Sequence, residues 1–323
     1  MTFLLEKLGD KRLETIADSI STGGSKEFKE IQVQFPEYDP RFLWLIAYTH
    51  EDSLDLQAYI KANYLKYYQI LDSKFIKKLA REFESHLWEM FLCDILSSSG
   101  ILVNKSEAGP DFLLQKGSLQ IQIEAVAPEE AEDISLRSER PDYDLFDFFE
   151  STGLIHDRER PVLLRAIKGF DQKQSGYGTD LPLIIAINTS KTVGTISDDN
   201  YVLRLFLFGL GNVTITRLDT ESYRTGFEQL SHISKPGQPP FEIGYFRNPA
   251  YSHVSGVIYT SQSARGLTPN GWGWSNRGIT YVPNPLATHP IGFEFPFFHK
   301  LVCGNDVYQE IPATAKFVST LNL

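Results

Sequence analysis

Residues 109–128, GPDFLLQKGSLQIQIEAVAP, encode two short strands and the turns that bound them. Gly109-Pro110 is a turn signal, DFLLQ at 111–115 is strand-like, and LQIQIEAVA at 119–127 alternates cleanly. A period of two puts Leu119, Ile121, Ile123 and Ala125 on one face and Gln120, Gln122, Glu124 and Val126 on the other. Glu124 thus points away from the aliphatic face. If both faces are covered it needs a partner, because burying an unpaired charge is expensive.

Asp111 opens the preceding strand, so an antiparallel meander brings it beside the end of Glu124's strand. Two carboxylates about 5 Å apart at an effective dielectric of about 20 repel by roughly 3 kcal/mol. Either one protonates or a cation binds between them. Oxygen donors with no Cys/His cluster beside them point to Mg²⁺ or Mn²⁺ rather than zinc.

Working outward, Phe75, Leu79, Phe83, Leu87, Phe91 and Ile95 recur every four residues. That spacing predicts one helix with Ser73 as N-cap and a stop near Gly100. Glu89 lies on it, with Glu82 and Glu84 as rivals. ILV at 101–103 adds a third strand to the meander. Residues 129–150 form an acidic excursion expected to be exposed. Pro161 opens VLLRAIKGFDQKQSG, a helix with Leu163, Ile167 and Phe170 on one face, weakened by Gly169. LPLIIAINT follows as a buried strand. Residues 1–72 read as helical. Beyond residue 195, YVLRLFLFGLG, SGVIYTS and GITYVP read as strands, and 262–278 as a Gly/Asn/Trp loop. Its Trp272 and Trp274 either anchor the loop or stack on unpaired bases.

The order helix, three-strand meander, helix, strand, with an acid on the first helix, resembles the PD-(D/E)XK nuclease-like superfamily over roughly residues 75–190. Pro110-Asp111 matches its PD and Glu124 the later acid; Glu89 followed by Gly100 is similar to its helix-one acid and helix-ending glycine. LLRAIKGFDQK, IIAIN, VSGVIY and NPLA are also similar to a group of bacterial proteins of unassigned activity that carry GPDF and IEAVAP motifs.

The resemblance implies an α/β fold with a restriction-endonuclease-like αβββαβ core at 73–195. An N-terminal helical region at 1–72 precedes it, and a C-terminal α+β elaboration at 196–323 packs on it. It implies a metal-dependent nuclease, with Asp111 and Glu124 holding Mg²⁺ or Mn²⁺, Glu89 completing the shell and nucleic acid, DNA or RNA, as substrate. The superfamily expects a lysine two residues after Glu124, where this chain has Val126. Lys173 on the following helix is the substitute, Lys168 the second choice; Gln122 and Arg165 are supporting residues. An alternative register pairs Gln122 with Glu124, which then stands in the lysine's place.

Composition bounds these expectations. Of 323 residues 42% are hydrophobic and 22% charged, which fits a folded chain rather than a disordered one. No apolar run approaches the ~20 residues of a membrane span, and no secretion signal opens the chain, so a cytoplasmic, membrane-free protein is expected, or one delivered to another cell. Cys93 and Cys303 cannot build a disulfide framework or a closed zinc site. The net charge of −10 opposes broad attraction to nucleic acid. That balance and Val126 keep open a catalytically inactive nuclease-like module that binds nucleic acid or protein, beside a toxin or effector acting on another phosphoester. The seven histidines are dispersed and none is given a role; His86 is expected to be a packing or surface residue. Neither a P-loop, a dinucleotide fingerprint nor a nucleophile elbow is present.

Overall fold

The computed structural model describes residues 2–13, 25–47, 51–71, 73–105, 109–128, 159–176, 180–190, 199–218, 222–233, 240–262, 278–303 and 308–314. The acidic excursion at 129–150 and the loop carrying Trp272 and Trp274 lie outside them. The helices are α1 (Thr2–Leu8), α2 (Ser25–Gln34), α3 (Pro40–Ala47), α4 (Glu51–Tyr67), α5 (Phe75–Leu79), α6 (Phe83–Ser98), α7 (Glu159–Lys173) and α8 (Asp199–Phe208). The strands are β1 (Leu102–Lys105), β2 (Phe112–Lys116), β3 (Leu119–Val126), β4 (Leu183–Asn188), β5 (Leu210–Arg217), β6 (Tyr223–Gln229), β7 (His232–Ile233), β8 (Phe241–Glu242), β9 (Val254–Thr260), β10 (Thr280–Pro283), β11 (His299–Cys303) and β12 (Tyr308–Ile311).

The architecture is mixed α/β, with an eight-stranded sheet in the order β1-β2-β3-β4-β9-β10-β11-β12. β1, β2 and β3 form the antiparallel meander, β3, β4 and β9 run parallel, and β10 to β12 complete the sheet. The strands after residue 253 therefore continue the sheet by pairing on β4. The hairpin β5-β6 stands apart from it.

Both faces of the sheet are covered. Ile121, Ile123, Ile184 and Ala186 pack with the N-terminal helices and α6, whereas Leu183, Ile185 and Ile187 pack with α7 and α8. All six residues of β4 are buried, which explains a continuous apolar strand rather than an alternating one. Trp88 pins α6 to this strand by donating its indole N–H to the Ala186 carbonyl at 3.0 Å.

Two expectations are corrected. The four-residue stripe is carried by two helices, α5 and α6, broken at Ala80–Glu82, and Ser73 caps neither; the N-caps are Lys74 and Glu82, with no side-chain cap bond. Asp39 holds the break. Its amide donates to the Ala80 carbonyl at 2.9 Å, and its carboxylate accepts the first amide of α6, from Phe83, at 3.2 Å. The same carboxylate caps α3 through the Arg41 amide at 2.8 Å.

YVLRLFLF is helix α8, not a strand. Val202 to Phe208 are all buried, so no polar face marks the helical period. Gly209 ends the helix with φ +62, and a Cβ there would meet the Leu230 carbonyl oxygen at 2.1 Å.

Candidate active site

The register of β2 on β3 pairs Phe112 with Ile123, which continues one step to set Asp111 opposite Glu124. Glu124 is 1% exposed, on the face of β3 that α7 covers. Asp111 is fixed by the Ala125 N–H, which donates to its Oδ2 at 2.8 Å. From α7, Lys173 Nζ donates to Glu124 Oε2 at 2.5 Å and stands 3.9 Å from Asp111 Oδ2. As the last residue of its helix, that ammonium also faces the negative end of the macrodipole.

A small residue lets α7 lie this close. A Cβ on Gly169 would meet Pro128 Cγ at 2.8 Å, Val126 Cγ1 at 3.2 Å and Ile187 Cγ2 at 3.4 Å. The glycine that weakens the helix locally is thus what seats it against β3 and β4, one turn before Lys173.

An open cavity of about 360 Å³ lies over this corner. Glu82, Ser85, His86 and Glu89 line it from α6; Lys168, Gln172 and Lys173 line it from α7. Asp111 and the segment Ala125–Pro128 make its floor and remaining wall. The site sits at the carboxyl end of β3, beside its parallel neighbour β4, where α/β sheets commonly bind ligands.

The charges in it act on one another. Burial raises the Asp111 carboxyl to about 6, and the negative charges of Glu124 and Glu89 push the same way, against the Ala125 N–H and the Lys173 ammonium. Burial alone would lower Lys173, but its bond to Glu124 and the charges of Asp111, Glu124 and Glu89 carry it above its ordinary value. Three carboxylates thus share one close ammonium.

The structure brings Glu89, Asp111 and Lys173 to this cavity, and Glu124, which does not line it, lies buried behind them in contact with Lys173. Lys168 lines the cavity but lies exposed, and Lys173 is the lysine that reaches the carboxylates. Gln122 and Arg165 do not line it: the Gln122 amide oxygen is buried without a partner, and Arg165 is 8% exposed with interactions of its own. Glu84, a rival of Glu89, is buried elsewhere, 3.5 Å from Arg41 Nε and accepting from Ser190 Oγ at 3.3 Å.

Sequence reasoning missed His86. Its Nδ1 stands 3.1 Å from Glu89 Oε1 but is not aligned for a hydrogen bond, and Phe75 holds its ring edge-on at 5.8 Å. The signal was the polar run Glu82, Ser85, His86, Glu89, spaced three, four and seven on an otherwise apolar helix.

As the side chains stand, no three His, Cys, Asp or Glu residues among the described ones are grouped as the ligands of one ion. No helix among the described residues is long and apolar enough to cross a membrane. No protein-family model matches the chain, and neither a curated protein nor a solved structure matches it.

Proposed function

We propose that the protein is a metal-dependent nuclease that hydrolyses phosphodiester bonds of DNA or RNA in this cavity. One observation carries the reading: the charges of Glu124 and Glu89 both act on Asp111 at the cavity, where Lys173 alone, among the described residues, makes close ionic contact with Asp111 and Glu124. An excess of carboxylate over ammonium charge invites a divalent cation, and an all-oxygen donor set suits Mg²⁺ or Mn²⁺. Mg²⁺ keeps several waters and is commonly held by one or two protein carboxylates, so a three-acid cage is not required.

In this reading Asp111 and Glu124 hold the ion, and Glu89 supports its shell across the cavity. The ion, when bound, supplies Lewis acidity at a phosphodiester oxygen and acidifies a water. Lys173 Nζ turns from Glu124 and donates to the attacking water, orienting it toward phosphorus. Gln122 and Arg165, like Glu124, do not line the cavity, and in this reading they make no direct contact with substrate.

The order α6, meander β1-β2-β3, α7, parallel β4 supports a restriction-endonuclease-like core. So does an ammonium reaching Glu124 from α7 while Val126 stands where the superfamily carries lysine. A second reading, a catalytically silent module of that fold, is favoured by the Lys173–Glu124 bond, which neutralises Glu124 without an ion.

Plasmid, single-stranded DNA and RNA incubated with Mg²⁺ or Mn²⁺ separate the two. Cleavage that chelator and Asp111→Asn both abolish is expected. Nucleic-acid binding with no cleavage of any substrate would favour the silent module.

A further inference from the structure

The cavity has two chemically different sides. One is acidic, with Asp111 on the floor, Glu124 behind it and Glu89 on the rim. The other is the apolar run Ala125–Pro128, of which Ala125, Ala127 and Pro128 are buried. The imidazole of His86, 3.1 Å from Glu89 on the acidic side, is the aromatic ring among the lining side chains and packs edge-on against Phe75.

Size and charge both bear on what enters. About 360 Å³ lies near the lower end of the ~300–1,000 Å³ typical of small-ligand pockets. That is room for one nucleotide. The lining side chains bring two lysines, Lys168 and Lys173, against the acids Glu82, Glu89 and Asp111, with Glu124 behind them. A duplex is held by neutralising many phosphates, and its affinity grows with each cation that touches one. An acidic rim opposes that mode. A single strand gains somewhat less from each phosphate contact than a duplex and can add stacking of its unpaired bases.

We infer that the cavity admits one unpaired nucleotide, so that the substrate is single-stranded nucleic acid, with the base against the apolar Ala125–Pro128 wall and the phosphate over Asp111. The inference rests on the nuclease reading and narrows its substrate class. Ser85 on α6 and Gln172 on α7 both line the cavity, where a larger side chain takes space.

The test uses one labelled oligonucleotide, free and annealed to its complement, with Mn²⁺. Cleavage of the free strand at least about tenfold faster is expected, since pairing withholds the base from the cavity. Ser85→Trp, at a half-buried position, and Gln172→Trp, at an exposed one, should each cut the single-strand rate at least about tenfold by filling the cavity, with Mn²⁺ affinity unchanged in Gln172→Trp. Equal rates on the two forms, or full activity in both tryptophan variants, overturn the inference and leave the nuclease reading standing. Failure to cleave either form removes that reading and this inference with it.

Discussion

Lys173 and Glu124, forty-nine residues apart, meet at 2.5 Å, and the carboxylate they bury together lies on the sheet face that α7 covers. The contact decides how the site is neutralised when no ion is bound. Without the ammonium, a nearly inaccessible carboxylate faces Asp111 with no counter-charge beside it.

Lys173→Met keeps the aliphatic stem and removes that charge. Breaking a buried pair costs about 3–5 kcal/mol, and partial exposure of the lysine reduces this to about 2 kcal/mol. Thermal unfolding in chelator should show the loss. Added Mn²⁺ should recover more stability in the variant than in the wild type, since the cation replaces the missing ammonium; equal recovery would speak against a shared site.

Asp111 responds to pH in the opposite sense from a salt-bridged acid. Its folded value near 6 lies above the ordinary 3.8, so its contribution to stability is lost as pH rises from about 4 to about 6 and stays lost above that. Asp111→Asn keeps an acceptor for the Ala125 N–H and removes the repulsion. In chelator at pH 8 it should unfold at higher denaturant concentration, by about 1–2 kcal/mol, with the difference gone near pH 4. Mn²⁺ affinity of the wild type should weaken below pH 6 as the proton competes. A flat calorimetric titration series from pH 5 to 8 would contradict this.

Gly169→Ala pits helix propensity against packing. Alanine favours the helix by up to about 1 kcal/mol, but the new methyl meets Pro128 and Val126 at 2.8 and 3.2 Å, an overpacking cost of about 1–3 kcal/mol. A net loss of stability is expected. Nuclease activity should fall more than a twofold change, because α7 must lift and carry Lys173 with it. An unchanged melting temperature and rate would show the close approach to be unimportant.

Asp39→Ala removes an acceptor from two helix starts at once. Losing a cap costs about 1 kcal/mol, so about 1–2 kcal/mol is expected, measured by denaturant unfolding. Asp39→Asn, which keeps one of the two acceptor oxygens in use, should recover at most about half of it.

What was legible follows from how local each determinant is. The alternation of 119–126 placed Glu124 opposite the aliphatic face, and the two-strand turn placed Asp111 across from it, because both depend on a few adjacent residues. Lys173 followed from the superfamily resemblance, which allows the lysine on the following helix, together with the apolar stripe that it flanks. The break between α5 and α6 was not legible, since the acceptor that makes it lies forty-four residues away in Asp39. Helix α8 was misread because a helix buried on all sides loses the polar face that distinguishes it from a strand. The pairing of β9 on β4, Ile184 against Gly256, joins segments whose apolar runs carry no mark of their order in the sheet. His86 entered the site only once α6 was oriented by Trp88.

The central claim is that Asp111 and Glu124 share a divalent ion. Anomalous diffraction from a crystal soaked in Mn²⁺ tests it most directly. A peak about 2.1–2.3 Å from oxygens of both carboxylates, with Lys173 Nζ drawn off Glu124, is the predicted result. Density with no peak in the cavity and Lys173 still bonded to Glu124 would contradict it.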